Sequence, residues 1–244
     1  MPESLLILIY FFIITALQSF IGVGILVLGT PFLLILDYNI VEIFFILLPL
    51  SIITSLLNVV IIKLLSKEPQ KNISKELKKF FIICIPSIVI GLLILKFFES
   101  HINFKVLVSL IIIFSVIFVT LKNKIKFKIN FFRISILSIV GVIHGLTNSG
   151  GTLLSLALSV NNKKNYARFN ITLFYLILAT FQYLLTIMIF YENFIFLKNI
   201  HLVWVILFGV LIGNIFNRYI NEKKYKLVLN LLAILSSLLL LMNN

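Results

Sequence analysis

Long apolar stretches run along the whole chain and are interrupted by short segments of glycine and small polar residues. Six plain stretches lie near 41–63, 79–98, 105–121, 168–190, 200–220 and 224–242. Each has at least about 17 residues, which is the length that an α-helix needs to cross a bilayer. The apolar positions do not alternate as they would in the strands of a membrane barrel. The pattern predicts an all-α polytopic membrane protein.

Two interruptions have the same layout. Segment 17–36 contains GVG at 22–24, and segment 144–160 contains GLTNSGGT at 145–152. In both, an apolar helix runs into a break of small residues, which a short apolar segment and then a long helix follow. This similarity predicts an internal repeat. The first copy covers 1–121, with a hairpin at 5–36 and the spans near 41–63, 79–98 and 105–121. The second covers 131–244, with a hairpin at 131–160 and the remaining three spans, and a basic linker at 122–130 joins the copies.

The positive charges predict the topology. Four clusters, at 63–79, 122–133, 161–168 and 218–226, hold 18 of the 21 lysines and arginines. Because basic loops stay in the cytoplasm, all four clusters are expected on the inner side. Segment 131–160 then begins and ends inside, yet its 30 residues are too few for two full spans of about 20 each. It is therefore expected to be a broken or re-entrant hairpin.

A hairpin followed by three crossings is an odd count, so the second copy is expected upside down relative to the first. The fold prediction is two inverted repeats, each with a broken or re-entrant helical hairpin plus three transmembrane helices. The N-terminus carries no basic residue before 36. Whether 5–36 crosses once or returns is therefore left open by the charges.

Composition narrows the functional classes. The chain is 61% hydrophobic and 12% charged, with a mean hydropathy of +1.17, whereas a soluble domain is about a quarter charged. The net charge of +13 is interpreted as a topology signal and not as a nucleic-acid surface. The single Cys84 cannot form a disulfide within the chain. No catalytic set, metal-ligand cluster or cofactor motif is recognised, so no enzyme activity, metal or cofactor is predicted. The expected partners are the lipid bilayer and a small solute, and a homo-oligomer is left open.

The breaks supply candidate chemistry. Irregular backbone at membrane depth has to be buried in protein or line a wet cavity, and the N-terminus of a half-helix attracts anions. The predicted substrate-binding residues of the first break are Gln18, Ser19, Gly22 and Gly24, with Thr30 nearby. Those of the second break are His144, Thr147, Asn148, Ser149, Gly150, Gly151 and Thr152. Asn58, Arg168, Asn170 and Gln182 are predicted to lie along the pathway.

Each candidate has a structural alternative. The glycines could serve only close helix packing. His144 could carry a coupling proton or touch the anion, or it could be a neutral side chain bonded to a carbonyl. Arg168 could be a topology anchor instead of an anion ligand.

Two stretches, GVGILVLGTPFLLIL at 22–36 and GVIHGLTNSGGTLLSLAL at 141–158, resemble the sulfite exporter TauE/SafE family of membrane transporters. Pro31 fits the first copy of the family's glycine-rich segment, and Gly141, Gly145, Gly150 and Gly151 fit the second. The resemblance implies two related halves and a role in moving sulfite, sulfonates or other small organosulfur anions.

The resulting hypothesis is a secondary transporter of small anions in the cytoplasmic (inner) membrane. The anion would bind at the midplane between the two breaks and move by alternating access. One alternative is a cation or neutral-solute transporter on the same fold. Another is a non-transporting membrane subunit or assembly factor.

Overall fold

The fold is built from α-helices. The computed structural model describes residues 2–65, 74–125, 134–160, 163–191 and 202–242. Within these ranges the α-helices are α1 Pro2–Ile21, α2 Ile25–Ile35, α3 Ile40–Leu65, α4 Ser74–Phe98, α5 Phe104–Ile125, α6 Ile134–Thr147, α7 Gly150–Val160, α8 Lys164–Ile189, α9 Leu202–Tyr219 and α10 Glu222–Met242. A short 3-10 turn, Glu99–His101, joins α4 to α5. The all-helical prediction is confirmed for this part of the chain. Residues 66–73 of the basic cluster 63–79, residues 126–133 of the cluster 122–133, and residues 192–201 fall outside it.

Several helices have the length and apolarity of membrane spans. Ile40–Leu65, Ser74–His101 and Lys164–Ile189 are each long and apolar enough to cross a bilayer. Shorter apolar helices are Leu5–Ile21, Ile25–Ile35, Phe104–Phe118, Ile134–Thr147 and Val203–Tyr219. Many large apolar side chains on these helices are exposed, among them Phe97, Met188 and Phe216. An exposed apolar surface of this extent is expected where lipid covers it.

Asparagine side chains fix the first turns of three helices. Asn39 Oδ1 accepts the N–H of Val41 at 2.8 Å, while Glu42 Oε2 accepts the N–H of Asn39 at 3.2 Å. This reciprocal pair is a capping box at the start of α3. Asn103 and Asn221 likewise accept N–H groups in the first turns of α5 and α10. Each of these three helices therefore begins at a side chain that satisfies one of its free amides.

The first two helices form a tight antiparallel hairpin. The Tyr10 hydroxyl on α1 donates to the Leu28 carbonyl on α2 at 2.7 Å, and the Tyr10 ring stacks on Phe32 with centroids 3.6 Å apart. Segment 5–36 therefore doubles back. In the second hairpin, α7 starts against the last turns of α6, because a Cβ added to Gly150 would lie 2.8 Å from His144 Cβ.

Helices α3 and α8 pack together and run in opposite directions. The end of α3 at Leu65 and the start of α8 at Lys164 line one cavity on one face of the molecule. At the other face, Lys96 Nζ donates to the Ile189 carbonyl at the end of α8. Lys96 also lines a pocket with Ile40, where α3 begins. With 26 residues each, the two helices span roughly 39 Å at 1.5 Å per residue, enough to cross a bilayer.

Helices of the first half of the chain pack mainly on helices of the second half. Helix α1 packs on α9, and α6 packs on α4. Glycines make both contacts close, since a Cβ on Gly213 of α9 would lie 2.7 Å from Ser19 Cβ, and one on Gly141 of α6 would lie 2.6 Å from Ser87 Cβ. Helix α3 pairs with α8, and α5 pairs with α10. Small residues let membrane helices approach in this way.

Two helix breaks and a basic cavity as the candidate transport site

The first helix break, residues 22–24, lies directly against α8. Gly22 has a φ of +97°, a conformation that L side chains rarely adopt. A Cβ at Gly22 would lie 3.2 Å from the Arg168 carbonyl oxygen and 3.2 Å from Thr172 Oγ1. Both the backbone conformation and the close approach therefore favour glycine at this position.

A buried glutamine closes the first break. Gln18 Oε1 accepts the N–H of Ile25, the first amide of α2, at 3.0 Å. Gln18 Nε2 donates to Ser55 Oγ on α3 at 3.0 Å and lies 3.4 Å from Ser51 Oγ. The side chain is fully buried. Consequently a neutral oxygen of the protein already occupies the positive end of α2.

The last carbonyls of α1 are held by side chains from the second half of the chain. Arg168 Nη2 donates to the Ser19 carbonyl, Asn217 Nδ2 donates to the Phe20 carbonyl at 2.6 Å, and the Tyr225 hydroxyl donates to the Ile21 carbonyl at 2.6 Å. A helix leaves its last four carbonyls without helical partners. Here α8, α9 and α10 each supply a donor, so the end of α1 is fixed to the other half.

Two asparagines extend this network. Arg168 Nη2 donates to Asn214 Oδ1 at 2.6 Å, and Asn214 Nδ2 donates to Asn58 Oδ1 at 2.7 Å. Asn58 Nδ2 in turn donates to Ser19 Oγ at 2.9 Å. The predicted residues Ser19, Asn58 and Arg168 are therefore in one buried cluster. The unpredicted Tyr225 completes the end of α1.

The second break, residues 148–149, has a different local structure. Asn148 has a φ of +65° and is fully buried. Its N–H donates to the His144 carbonyl at 2.8 Å, and the N–H of Thr152 donates to the Ser149 carbonyl at 2.9 Å. The N–H of Ser149 donates to Thr147 Oγ1 at 3.3 Å. The backbone thus turns sharply from α6 into α7 within two residues.

Several polar side-chain atoms at the second break are buried without hydrogen-bond partners among the described residues. They are Asn148 Oδ1, Thr152 Oγ1, Gln182 Oε1 and both ring nitrogens of His144. Asn148 Nδ2 reaches only Thr30 Oγ1, at 3.5 Å, and Gln182 Nε2 donates to the His144 carbonyl at 3.0 Å. Buried polar atoms without partners are uncommon and costly in folded proteins. Their concentration here contrasts with the well-bonded Gln18 and Ser19 at the first break.

One face of α8 connects the two breaks. Arg168, Thr172, Tyr175, Gln182 and Thr186 follow helical spacing and are all buried. The first two lie beside Gly22, whereas Tyr175 lies against Gly151, where an added Cβ would come within 2.9 Å of Tyr175 Cε2. From Arg168 to Tyr175 is seven residues, or roughly 10 Å along the helix axis. The breaks therefore lie at successive depths along α8.

A basic cavity opens near the start of α8. Its volume is about 430 Å³, and its lining residues are Ile62, Leu65, Lys164, Asn165, Arg168, Asn214, Asn217 and Arg218. None of these residues is acidic, and three are positively charged. Lys164 Nζ donates to the carbonyls of Asn217 and Ile220, each at 2.8 Å, which ties α8 to the end of α9. Residues of two sequence clusters, 161–168 and 218–226, therefore meet at this cavity.

The predicted site residues fall into two groups. Gln18, Ser19, Gly22, Asn58 and Arg168 gather at the first break, while the predicted residues of 144–152 gather with Gln182 at the second. A Cβ on Gly24 would lie 2.7 Å from the Gln18 nitrogen. Asn170 is also buried, with Oδ1 unpartnered among the described residues.

Sequence reasoning missed Lys164, Tyr175 and Tyr225. Helical spacing from Arg168 along α8 leads to Tyr175, so the sequence contained a signal for it. Lys164 was counted only as a charge of its cluster, and nothing local marks Tyr225 as the partner of a residue some 200 positions earlier. Within the described ranges, no group of three or more His, Cys, Asp or Glu could hold a metal ion.

Comparison with known proteins gives one finding. The family model described as sulfite exporter TauE/SafE matches residues 6–240 of the chain. No curated protein matches it, and no solved structure does.

Proposed function

The chain belongs to the sulfite exporter TauE/SafE family, and we propose that it is a secondary transporter of small anions, with sulfite or an organic sulfonate as substrate. Family membership and the long apolar helices identify a multi-pass membrane protein. The family supports a transported anion of the sulfite class. The particular anion and its binding site are the proposal.

The observation that carries the proposal is the second break. Asn148, Thr152 and His144 are fully or almost fully buried there. Asn148 Oδ1, Thr152 Oγ1 and both ring nitrogens of His144 lack partners among the described residues. An oxyanion would accept from Thr152 Oγ1 and from a His144 ring N–H, and a protonated one such as hydrogensulfite would also donate to Asn148 Oδ1. Buried polar groups without hydrogen-bond partners are expected at a site where a bound ligand supplies the missing hydrogen bonds.

The chemistry of the site favours an anion. Gly150 and Gly151 begin α7, so their N–H groups have no carbonyl within the helix to bond to. The positive end of the helix dipole points to the same place. Thr152 Oγ1 adds a neutral donor. An oxyanion can therefore be held by amides and hydroxyls without a buried counter-charge, and the neutral site makes release on the other side less costly.

The arrangement of the helices supports inverted repeats and alternating access. Helices α3 and α8 occupy the same position in the two halves and run in opposite directions. Each hairpin packs on the fourth helix of the other half. Rocking of one half against the other would expose a site near the midplane to either side. We propose that the protein lies in the cytoplasmic membrane with its basic clusters on the inner side.

The test is ligand-dependent thermal unfolding of the detergent-purified protein. Sulfite, a sulfonate, sulfate, acetate and sodium ions would be compared, with wild type and Thr152→Val. Thr152→Val preserves shape and removes a hydroxyl that has no partner, so the ligand-free protein should unfold at an unchanged or higher temperature. Loss of one hydrogen bond to a charged ligand costs about 1.5–3 kcal/mol, so the variant should need roughly 10- to 100-fold more sulfite for the same shift.

Thr180→Val is the matched control. Thr180 lies on α8, and its hydroxyl donates to the Leu176 carbonyl of its own helix at 2.7 Å. Its sulfite response should equal that of wild type. Equal sulfite responses in Thr152→Val and wild type would contradict the binding site. Stabilisation by sodium ions alone would favour the alternative of a cation transporter.

A further inference from the structure

We infer that the basic cavity is a second oxyanion site, distinct from the second break, which loads the substrate from the face where α8 begins. The inference rests on the proposed function only for the identity of the anion. Its residues are Lys164, Arg168 and Arg218, with Asn214 and Asn217 beside them.

The charge of the cavity is not neutralised by its own lining. Three of its eight lining residues are cationic and none is acidic. Among the residues whose side chains the structure describes, the only ion pair joins Lys105 to Asp37. This pair lies at the other end of α3. A cleft lined by one sign of charge, with apolar walls such as Ile62 and Leu65, concentrates ions of the opposite sign.

Arg168 gives the cavity a buried donor. Only 7% of this residue is exposed. Its Nη2 is used by Ser19 and Asn214, while its Nε has no partner among the described residues. A guanidinium carries five N–H donors in a planar fork and matches oxyanions well. Nη2 therefore fixes the end of α1, and other N–H groups of the guanidinium remain as donors for an anion.

The depth of Arg168 favours a free small anion over a lipid headgroup. Lys164 and Arg218 lie at the rim, where a lipid phosphate could also reach. Arg168 lies one helical turn further along α8 than Lys164, at the side of the cavity that adjoins the first break. A headgroup tethered to acyl chains at the membrane surface would be restricted to the rim. A small oxyanion can move inward to the fork of Arg168.

The cavity also lies where an anion could bind before it reaches the second break. From Arg168 to Tyr175 beside the second break is roughly 10 Å along α8. An anion held by the remaining N–H groups of Arg168 would therefore lie about 10 Å from the second break, while Nη2 keeps its contact with the Ser19 carbonyl.

The experiment is calorimetric titration of the full-length purified protein with sulfite at two salt concentrations. Arg218→Gln removes an exposed charge at the rim, which leaves the fold intact. Lys63→Gln is the matched control, because Lys63 is an exposed cation in the last turn of α3 that does not line the cavity. Arg218→Gln should weaken sulfite binding about three- to fivefold, in line with a partly screened charge, and Lys63→Gln should leave it unchanged. Higher salt should weaken the wild type more than Arg218→Gln.

The same titration in Thr152→Val separates this inference from the proposed function. Weaker binding in Arg218→Gln, together with sulfite binding that remains in Thr152→Val, supports a cavity site distinct from the second break, and loss of all binding in Thr152→Val would overturn it. Identical binding in Arg218→Gln and wild type overturns it. Titrations in nanodiscs of phosphatidylcholine, with and without phosphatidylglycerol, supply the second arm. Abolition of the Arg218-dependent sulfite binding by phosphatidylglycerol would assign the cavity to a lipid headgroup and also overturn the inference.

Discussion

Two fully buried glutamines provide a direct test of the difference between the breaks. Gln18 makes hydrogen bonds of 3.0 Å to the Ile25 N–H and to Ser55 Oγ. Gln18→Leu fills a similar volume but removes the bond to Ser55, worth about 1 kcal/mol, and leaves the Ile25 amide buried without a partner, which costs about 1–3 kcal/mol. The expected loss of unfolding free energy is therefore about 2–4 kcal/mol.

Gln182→Leu is the matched variant on α8. It removes one hydrogen bond, to the His144 carbonyl, and that carbonyl keeps the Asn148 N–H at 2.8 Å. It also removes a buried oxygen that has no partner in the described structure, so the two effects offset each other. The expected loss is at most about 1 kcal/mol.

The assay is thermal unfolding of both variants in one detergent without ligand. A difference of about 2 kcal/mol corresponds to roughly 4–8 °C for a chain of this size. Gln18→Leu should have the lower unfolding temperature. An equal or larger decrease for Gln182→Leu would refute the reasoning that hydrogen bonds close the first break and leave the second incomplete.

Three further substitutions test the packing and the ends of the helices. Gly151→Ala pushes a methyl group into the Tyr175 ring and should lower the unfolding free energy by about 1–3 kcal/mol. In a Tyr175→Ala background the same change should cost less, which a double-mutant cycle by thermal unfolding measures. Tyr225→Phe removes a 2.6 Å hydrogen bond to the end of α1 and should cost about 1 kcal/mol or more; no change would show that this contact is dispensable. Asp37→Asn breaks the exposed pair with Lys105 and should change stability by less than about 1 kcal/mol, with a larger effect contradicting its assignment as a surface pair.

Much of the architecture could be predicted from the sequence because membrane helices have a strong local signal. The apolar runs and the charge clusters are contiguous, so helices such as α3 and α8 follow from length and composition alone. The breaks were also visible, since glycine and small polar residues stand out between apolar runs. Each of these features depends on residues that are adjacent in sequence, so it can be recognised from the sequence of that segment alone.

The partners of the site residues were not predictable in the same way. Gln18 bonds to Ser55, and Arg168 bonds to the end of α1, through contacts between residues far apart in sequence. Nothing in either hairpin indicates that one break is closed by its own side chains and the other is not. That difference depends on which polar residues α3 and α8 present at each depth, which only the packed structure defines.

The central claim is that the second break binds a sulfite-like anion during transport, and counterflow of labelled sulfite into proteoliposomes tests it most directly. Liposomes loaded with unlabelled sulfite and containing the wild type should accumulate label, and Thr180→Val should do the same. Thr152→Val should fold normally and need roughly 10- to 100-fold more sulfite for half-maximal uptake. Uptake by Thr152→Val equal to the wild type, or no sulfite counterflow by the wild type, would contradict the account.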